Sequence, residues 1–468
     1  MTASSVLPWH WLTLHWFFTL LGIGVFLVAS HSLRQRRQPT AAMAWVLSLV
    51  LMPYLALPLY LLIGARKRIR PLPALRGDAS VPAAHPADRI RILAGTLSLP
   101  EPSNSEFFDL HDDGSHALRS LLSVIDSARE QLDVGTFLFG RDALGGELVH
   151  HLERAARRGV RVRFMVDGMG RFLGGHPDLA PLRAAGVSVA LFAAPFRYPY
   201  AGKANLRNHR KLAVADRQRL WTGGRNLAAV YFEGDGNAGS GGTPWTDLSF
   251  ELHGAIAAQA QQLFDRDWVF ATQQPALPLP PRAQPESTDL TSTLQLIPSG
   301  PDQAEDTIYT LLVSCCFSAR SRILAVSPYF VPDATLQMAL ALAARRGIGV
   351  DLVIPARSNH RMADMARHAS LRELTRSGAR VWLSPTMVHA KAVVFDGEFA
   401  MAGSANLDER SLFLNYELMV GFYRPDDVRR FAQWIERQRQ GARPYVARRP
   451  SVLRELGEGA IRWLAFQL

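Results

Sequence analysis

The sequence predicts an α/β protein of two tandem units, preceded by an N-terminal hairpin of two apolar helices. Three observations predict this architecture. A block of the form H-x-K-x4-D occurs at His209, Lys211 and Asp216, and recurs 180 residues later at His389, Lys391 and Asp396. After six intervening residues each block continues as Gly223-Gly224-Arg225-Asn226 or Gly403-Ser404-Ala405-Asn406. Uncharged stretches of bilayer-spanning length are confined to the first 63 residues.

The hairpin comes first, over residues 1–70. Leu12 to Ala29 is interrupted only by His15, and Ala41 to Ile63 carries no charge, so each is long enough to cross a bilayer. The turn is expected at Ser30 to Thr40. No Lys or Arg precedes the first stretch, which argues against a cleaved signal peptide. Behind the second stands a basic collar, Arg66-Lys67-Arg68-Ile69-Arg70, suited to anionic headgroups. The collar outweighs Arg34, Arg36 and Arg37 in the turn, which favours a catalytic part on the cytoplasmic side.

Residues 71–106, rich in Pro, Ala and Ser, read as a linker. The first unit follows over 107–273: helix from Leu118 to Arg129, strand from Leu132 to Phe139, helix near Gly146 to Arg158, strand from Val160 to Val166. A Pro-rich linker at 274–292 leads to the second unit, 293–440. There the order repeats as helix Ile308–Ala319, strand Ile323–Val326, helix Ala334–Arg346 and strand Ile348–Ile354. Ala155-Ala156-Arg157-Arg158-Gly159-Val160 is echoed by Ala343-Ala344-Arg345-Arg346-Gly347-Ile348, which extends the duplication beyond the blocks. The tail, 441–468, is basic and amphipathic; a helix docked on the body and one resting on a membrane surface both fit it.

Composition supports this division. With 468 residues, 48% of them hydrophobic, the chain can form two full-sized cores. Cys315 and Cys316 are adjacent and cannot staple distant loops, so nothing requires an oxidising compartment. The net charge of +11 indicates a polyanionic partner, and beside an apolar hairpin acidic lipid is a simpler choice than nucleic acid.

The chemistry is expected at the repeated blocks. Lys67, Lys203, Lys211 and Lys391 are the chain's four lysines among 52 basic residues, the rest being arginines. Lysine two residues after each histidine therefore indicates that a compact ammonium is wanted there, not a flat guanidinium fork. Both blocks fall on β-prone runs, where residues i and i+2 share a face, so each His and its Lys project into one cavity. The glycines permit close backbone approach, and Asn226 and Asn406 add amide donors.

This duplicated pattern resembles the phospholipase D superfamily, and the surrounding residues are most like those of bacterial cardiolipin synthases. The similar stretches include Asn205 to Lys211, Trp245-Thr246-Asp247, Phe264 to Trp268, Ile297 to Pro301, Pro328 to Asp333 and Gly403 to Ser411. The resemblance implies phospholipase D-like units packed face to face about a pseudo-twofold axis, with both blocks in one central site. It implies that Lys211 and Lys391, helped by Asn226, Asn406 and Ser404, neutralise the non-bridging oxygens of a phosphodiester, with no metal and no cofactor. His209 is then the nucleophile and His389 the acid and base, although near symmetry leaves these roles exchangeable. Asp247 and Glu417, late in the two units, are the candidates for orienting the imidazoles. Asp216 and Asp396 belong to the catalytic motif by pattern and are expected to close the turn after each strand.

The activity so implied is transfer of a phosphatidyl group from a phospholipid, phosphatidylethanolamine among the possible donors, to phosphatidylglycerol at a bacterial inner membrane. Hydrolysis, transfer to an alcohol such as ethanolamine, and cleavage of nucleic acid are the alternatives. Arg225 and Arg410 are open between phosphate ligands and ion-paired residues, and Tyr329 and Phe330 between an acyl-chain entrance and core packing. Two features depart from the family pattern: a Gly-rich insertion at Gly234 to Gly242, and Arg217 where a Gly is usual after Asp216.

Overall fold

The computed structural model describes residues 7–32, 39–64, 86–193, 205–233, 244–274 and 292–451, with Arg454, Gly457, Glu458 and Ile461 beyond them. Outside the described residues lie the centre of the hairpin turn, the basic collar, the linker to residue 85, the Gly-rich insertion, the Pro-rich linker after Gln274 and most of the tail beyond Ser451. By internal contacts the chain forms two compact units, one holding the N-terminal helices and the other the α/β body.

In the N-terminal unit α1 (Leu7–Ser32) is followed by α2 (Pro39–Leu51) and α3 (Pro53–Ile63). Among the described helices α1 alone is long and apolar enough to cross a membrane, over Trp11–Val28 with mean hydropathy 1.8. The second stretch, expected as one span from Ala41 to Ile63, is broken at Met52 (φ −139°, ψ 57°). Pro53 is the cause: it has no N–H to donate and it disfavours helical geometry in the residue before it. His15, which interrupts the first stretch in sequence, donates from Nε2 to the carbonyl of Val50 beside this break, at 3.0 Å. Phe26, Leu49, Ala56, Leu57 and Tyr60 form a small core between the three helices.

The body opens earlier than the linker expectation allows. α4 (Pro86–Thr96) and β1 (Ser103–His111) both begin inside residues 71–106. Ile90 and Ala94, four apart on α4, and Leu99 after it are buried in the core of the second half. Their spacing is helical, but Pro and Ala in the surrounding stretch hide it.

The first half continues with α5 (Gly114–Ser127), β2 (Gln131–Thr136), α6 (Ala143–Arg157), β3 (Arg161–Asp167), α7 (Gly168–Leu173), α8 (Ala180–Ala184) and β4 (Ser188–Phe192). It closes with β5 (Leu212–Ala215), β6 (Arg219–Gly223), β7 (Ser249–Gly254) and α9 (Ala255–Thr272). The second half begins with β8 (Ser292–Ser299), α10 (Thr307–Ser318), β9 (Arg322–Val326), β10 (Phe330–Val331), α11 (Ala334–Arg345), β11 (Gly349–Pro355), α12 (Arg361–Arg376) and β12 (Arg380–Ser384). Then come β13 (Ala392–Phe395), β14 (Phe399–Gly403), β15 (Leu407–Asp408), α13 (Glu409–Phe413), β16 (Glu417–Phe422), α14 (Pro425–Gln440) and β17 (Arg443–Pro444).

Fifteen strands form one continuous sheet, in the order β17-β12-β11-β9-β13-β14-β16-β8-β1-β7-β6-β5-β2-β3-β4. The joint between halves is the antiparallel pair β1–β8, in register Ser103↔Leu294, Asn104↔Thr293 and Ser105↔Ser292. From this joint outward the two halves list equivalent strands in the same sequence, β1-β7-β6-β5-β2-β3-β4 and β8-β16-β14-β13-β9-β11-β12. The antiparallel joint thus supplies the pseudo-twofold relation between them. Separate apolar cores lie under α5 and α6 in the first half and under α10, α11 and α12 in the second. Helix α14 packs across the other face, where Phe108, Phe250, Phe422 and Phe431 stack around the joint.

The repeated Ala-Ala-Arg-Arg-Gly ends α6 and α11. Gly159 (φ 88°) and Gly347 (φ 86°) take the left-handed conformation there, which L-residues resist. Val160 N–H and Ile348 N–H then return to the carbonyls of Ala155 and Ala343, capping the helix ends. In the tail, Glu458 pairs with Arg372 at 2.6 Å and Ile461 packs against Val331 and Ala366. These described tail residues are therefore docked on the body. Phe330 is fully buried in the second core, and the Tyr329 hydroxyl donates to Asn359 at 2.5 Å.

Candidate active site

His209 and Lys211 lie in the extended segment leading into β5, and His389 and Lys391 in the segment leading into β13. Each segment is held by the opposite half. His209 N–H donates to the Tyr416 carbonyl at 2.8 Å, and His389 N–H donates to the Thr246 carbonyl at 2.7 Å. The residue after each of these partners is a carboxylate, so the backbone pairing brings Glu417 to His209 and Asp247 to His389.

The side chains complete that arrangement. His209 Nδ1 is 3.1 Å from Glu417 Oε2 and 3.2 Å from the Ser404 carbonyl. His389 Nδ1 is 2.6 Å from Asp247 Oδ2. Both carboxylates are fully buried and further held, Glu417 by Asn415 Nδ2 at 3.2 Å and Asp247 by the Leu248 N–H at 2.7 Å. A proton on Nδ1 facing each carboxylate leaves the Nε2 lone pair as the reactive position.

The lysines are buried, which is rare for an ammonium. Lys211 Nζ donates to the His209 carbonyl at 2.8 Å, and Lys391 Nζ lies 3.0 Å from His389 Nε2. Burial pushes His209 down to about 4; Lys211 and Lys391 act in the same sense, while Glu417 opposes. Burial and Lys391 push His389 down to about 3 against Asp247. Lys391 falls to about 8 through burial, partly countered by Asp247 and Glu417, and burial holds Lys211 well below its ordinary value. Burial alone would raise Asp247, but His389 and Lys391 outweigh it and bring the carboxyl down to about 2. Both imidazoles are thus neutral near pH 7, beside two anchored carboxylates.

The expected phosphate ligands divide. Asn226 Nδ2 donates to the Tyr231 hydroxyl at 2.8 Å, and among the described residues Asn406 Oδ1 is buried without a hydrogen-bond partner. Ser404, expected as a phosphate ligand, lies beside Glu417. Its hydroxyl donates to Glu417 Oε2 at 2.5 Å and its N–H to the Leu418 carbonyl at 2.9 Å, so its donors tie β14 to Glu417 and β16. Gly224 occupies the equivalent place in the first half, where a Cβ would come within 2.2 Å of Asp247 Oδ1.

Asp216 and Asp396, grouped with the catalytic residues by motif, stand at the far ends of β5 and β13, away from the histidines. Asp216 accepts the N–H groups of Arg129, Glu130 and Gln131 at 2.8–2.9 Å. Asp396 does the same for Arg320, Ser321 and Arg322. Each takes positive φ, 51° and 56°, and Arg217 follows at 60° where its counterpart is Gly397. Arg225 is structural: it donates to the carbonyls of Tyr231 and His111 at 3.0 and 3.1 Å. Arg410 is half-buried beside Arg207 and Asp408, and its pKa is lowered to about 10, by desolvation first.

Several contributors lie outside the motif. Phe137 packs edge-on to His209, ring centres 5.0 Å apart, and Tyr231 and Trp245 enclose His389 at 4.9 and 5.6 Å. Asp167 accepts the Asn208 N–H at 2.8 Å, fixing the residue before His209. Arg210, whose counterpart is Ala390, binds Asp267 at 2.5 Å, Asp302 at 3.0 Å and the Glu417 carbonyl at 3.1 Å. These aromatic and acidic positions look like ordinary core or cap residues in sequence. Arg210, next to the first histidine but absent from the second block, and Trp245 and Asp267, within the family-like stretches, carried a visible signal.

Comparison with known proteins agrees with this geometry. A family model described as "Cardiolipin synthase, PLD-like domain" matches residues 121–268 and 312–439, one segment in each half. Cardiolipin synthase A of Pseudomonas aeruginosa is 34% identical over 434 residues, covering 86% of this chain and 85% of the relative. Cardiolipin synthase A of Pseudomonas entomophila is 32% identical over 423 residues, covering 86% of each. Phosphatidylserine synthase of Haemophilus influenzae, a solved structure, shares the fold with TM-score 0.60 at 15% identity, over 81% of this chain and 100% of that one. With both halves matched and each histidine completed by the other half, this chain belongs to the phospholipase D-like cardiolipin synthase family.

Proposed function

We propose that the protein is a phosphatidyltransferase that makes cardiolipin, taking a phosphatidyl group from a phospholipid donor and passing it to a hydroxyl of phosphatidylglycerol. The observation that carries this reading is the pair of buried imidazoles, each oriented by a carboxylate and each beside a buried lysine.

The anionic phosphodiester is drawn to Lys211 and Lys391, which offset charge on its non-bridging oxygens, with Asn226 and Asn406 beside them. As Lys391 turns toward phosphate it leaves His389 Nε2, and the anion's charge favours the imidazolium. His209 Nε2 attacks phosphorus; the N–P bond forms, the P–O bond to the donor headgroup breaks, and His389 gives its proton to the departing alkoxide. The acceptor hydroxyl then enters. His389 takes its proton, the new O–P bond forms, and the N–P bond to His209 breaks. Phe137, Tyr231 and Trp245 exclude water around the rings, which favours the alcohol over hydrolysis.

The N-terminal unit supplies the membrane anchor in this reading. Trp16, Leu20, Met43 and Leu47 are 58–71% exposed on its helices, an apolar surface that suits lipid. We place α1 across a bacterial inner membrane, the broken α2–α3 arm beside it as a second pass, and the catalytic body on the cytoplasmic side. Labelling of cysteines introduced at residue 35 and in the body, in intact and permeabilised cells, tests both placements.

The activity itself is tested by mass spectrometry of lipids after the purified chain meets phosphatidylglycerol vesicles, with and without phosphatidylethanolamine. Cardiolipin formed by the unmutated chain and not by His209→Ala is expected, and the released headgroup names the donor. Phosphatidic acid as the sole product would replace the transferase with a phospholipase.

A further inference from the structure

Apart from the histidine pair, one cluster of ligating side chains among the described residues stands where β1 turns into α5. We propose that Asp109, His111 and His116 form a binding site for a divalent transition-metal ion of the zinc type. One ligand atom from each of the three residues lies within 4.8 Å of the others.

The local structure builds the cluster. Asp109 and His111 are two apart on β1, and so share one face of the strand. The N-cap of α5, Asp113, accepts the His116 N–H at 2.8 Å, and this first turn carries the His116 imidazole back over the strand end. His116 Nε2 is then 3.1 Å and His111 Nε2 3.3 Å from the same Asp109 oxygen, Oδ2. Ligands about 2.0 Å from a zinc ion stand about 3.3 Å apart along the edges of a tetrahedron. Both distances to Asp109 Oδ2 match that edge, and the third pair lies within 4.8 Å.

His111 is the second, independent observation. Its side chain is fully buried, yet neither ring nitrogen makes a hydrogen bond among the described residues. Its approach to Asp109 lacks hydrogen-bond geometry, so an ion pair between Asp109 and His116 explains His116 and leaves His111 unexplained. An ion accepting a lone pair from each imidazole accounts for both.

The surroundings suit a metal ligand set. The other Asp109 oxygen, Oδ1, faces Arg430 Nη2 at 3.6 Å, and Arg430 lies over the Phe108 ring at 4.6 Å, which orients the carboxylate from behind. Asp109 and His116 are 32% and 41% exposed, leaving an entry path and a fourth position for water. An ion here would tie the strand at the joint of the two halves to α5. Arg225, which grips the His111 carbonyl, links it onward to Asn226.

The test uses the untagged full chain in detergent. It is stripped with EDTA, equilibrated with micromolar zinc chloride, dialysed into metal-free buffer and measured for zinc by mass spectrometry. About one zinc per chain is expected, lost in His116→Ala and retained in His389→Ala. Zinc is also expected to raise the melting temperature of the wild type and leave that of His116→Gln unmoved. Equal zinc in wild type and His116→Ala, or zinc that falls with His389→Ala instead, would overturn the proposal.

Discussion

His389 Nδ1 lies 2.6 Å from Asp247 Oδ2, and the two residues stand 142 positions apart in opposite halves of the sheet. The reciprocal pair, His209 and Glu417, is separated by 208 positions and 3.1 Å. Neither half therefore completes an oriented histidine alone. The continuous sheet and the backbone bonds from His209 to Tyr416 and from His389 to Thr246 hold the exchange in register.

The orienting carboxylates are testable by isosteric change. Asp247→Asn and Glu417→Gln keep the shape but can hold an imidazole in the wrong tautomer. We expect kcat to fall about a hundredfold to ten-thousandfold in each, with melting close to wild type. Near-normal turnover in either variant would reduce that carboxylate to a packing role.

His209→Ala and His389→Ala are each expected to lower turnover by at least about a thousandfold. Flotation with vesicles should be unchanged, because the apolar helices are untouched. Radiolabelled lipid should leave a phosphatidyl group on the wild type and not on the variant that lacks the nucleophile, expected to be His209→Ala, which also decides which histidine attacks. Phosphate trapped on both single variants would break the division of labour.

The pH profile follows from Lys391 and His209. Lys391 is charged below its pKa and neutral above it, and burial has brought that value to about 8. Since the charge is needed to offset phosphate, kcat/KM should fall as pH rises through about 8. His209 must be neutral to attack, so the acid limb should lie near 4, below which it is protonated. A Lys391→Arg variant should lose the alkaline limb and most of the rate, because guanidinium stays charged but has the wrong shape. A profile that stays flat through pH 9 would exclude Lys391 as the controlling charge.

Asp216 separates pattern from role. Its carboxylate receives three backbone N–H groups in the turn before β2, so Asp216→Ala should cost about 2 kcal/mol of stability. Activity per folded molecule should remain within about twofold of wild type, since the residue is at the strand end remote from the histidine. Denaturant melts combined with specific activity measure both. A loss of kcat without a loss of stability would return Asp216 to the chemistry.

Much of this protein is legible in the sequence because duplication repeats its signals. The two H-x-K-x4-D blocks, the Ala-Ala-Arg-Arg-Gly helix ends and the order of helices and strands are local patterns, set by side-chain periodicity and by the conformational freedom of glycine. Asp247 and Glu417 occupy equivalent places late in the two units, and the structure sets each within hydrogen-bond distance of a histidine. Other features were not legible. Ile90, Ala94 and Leu99 read as linker because three apolar residues in Pro- and Ala-rich surroundings give too weak a period, and their burial depends on a partner core elsewhere in the chain. Ala41 to Ile63 reads as one span by hydropathy, which does not register the N–H missing at Pro53.

By itself the sequence determined the two-unit α/β plan, the residue types of the site and the apolar N-terminal segment, since these rest on composition and on spacings within a few turns or strands. Tertiary structure decided the rest. It set which carboxylate serves which histidine, that Ser404 braces Glu417, that Asp216 and Asp396 hold turns, and that His111 is buried next to Asp109 and His116. Each of these depends on groups tens to hundreds of residues apart or on the angle at which a strand meets a helix. Only closure of the sheet at β1–β8 and packing of its layers fix those distances.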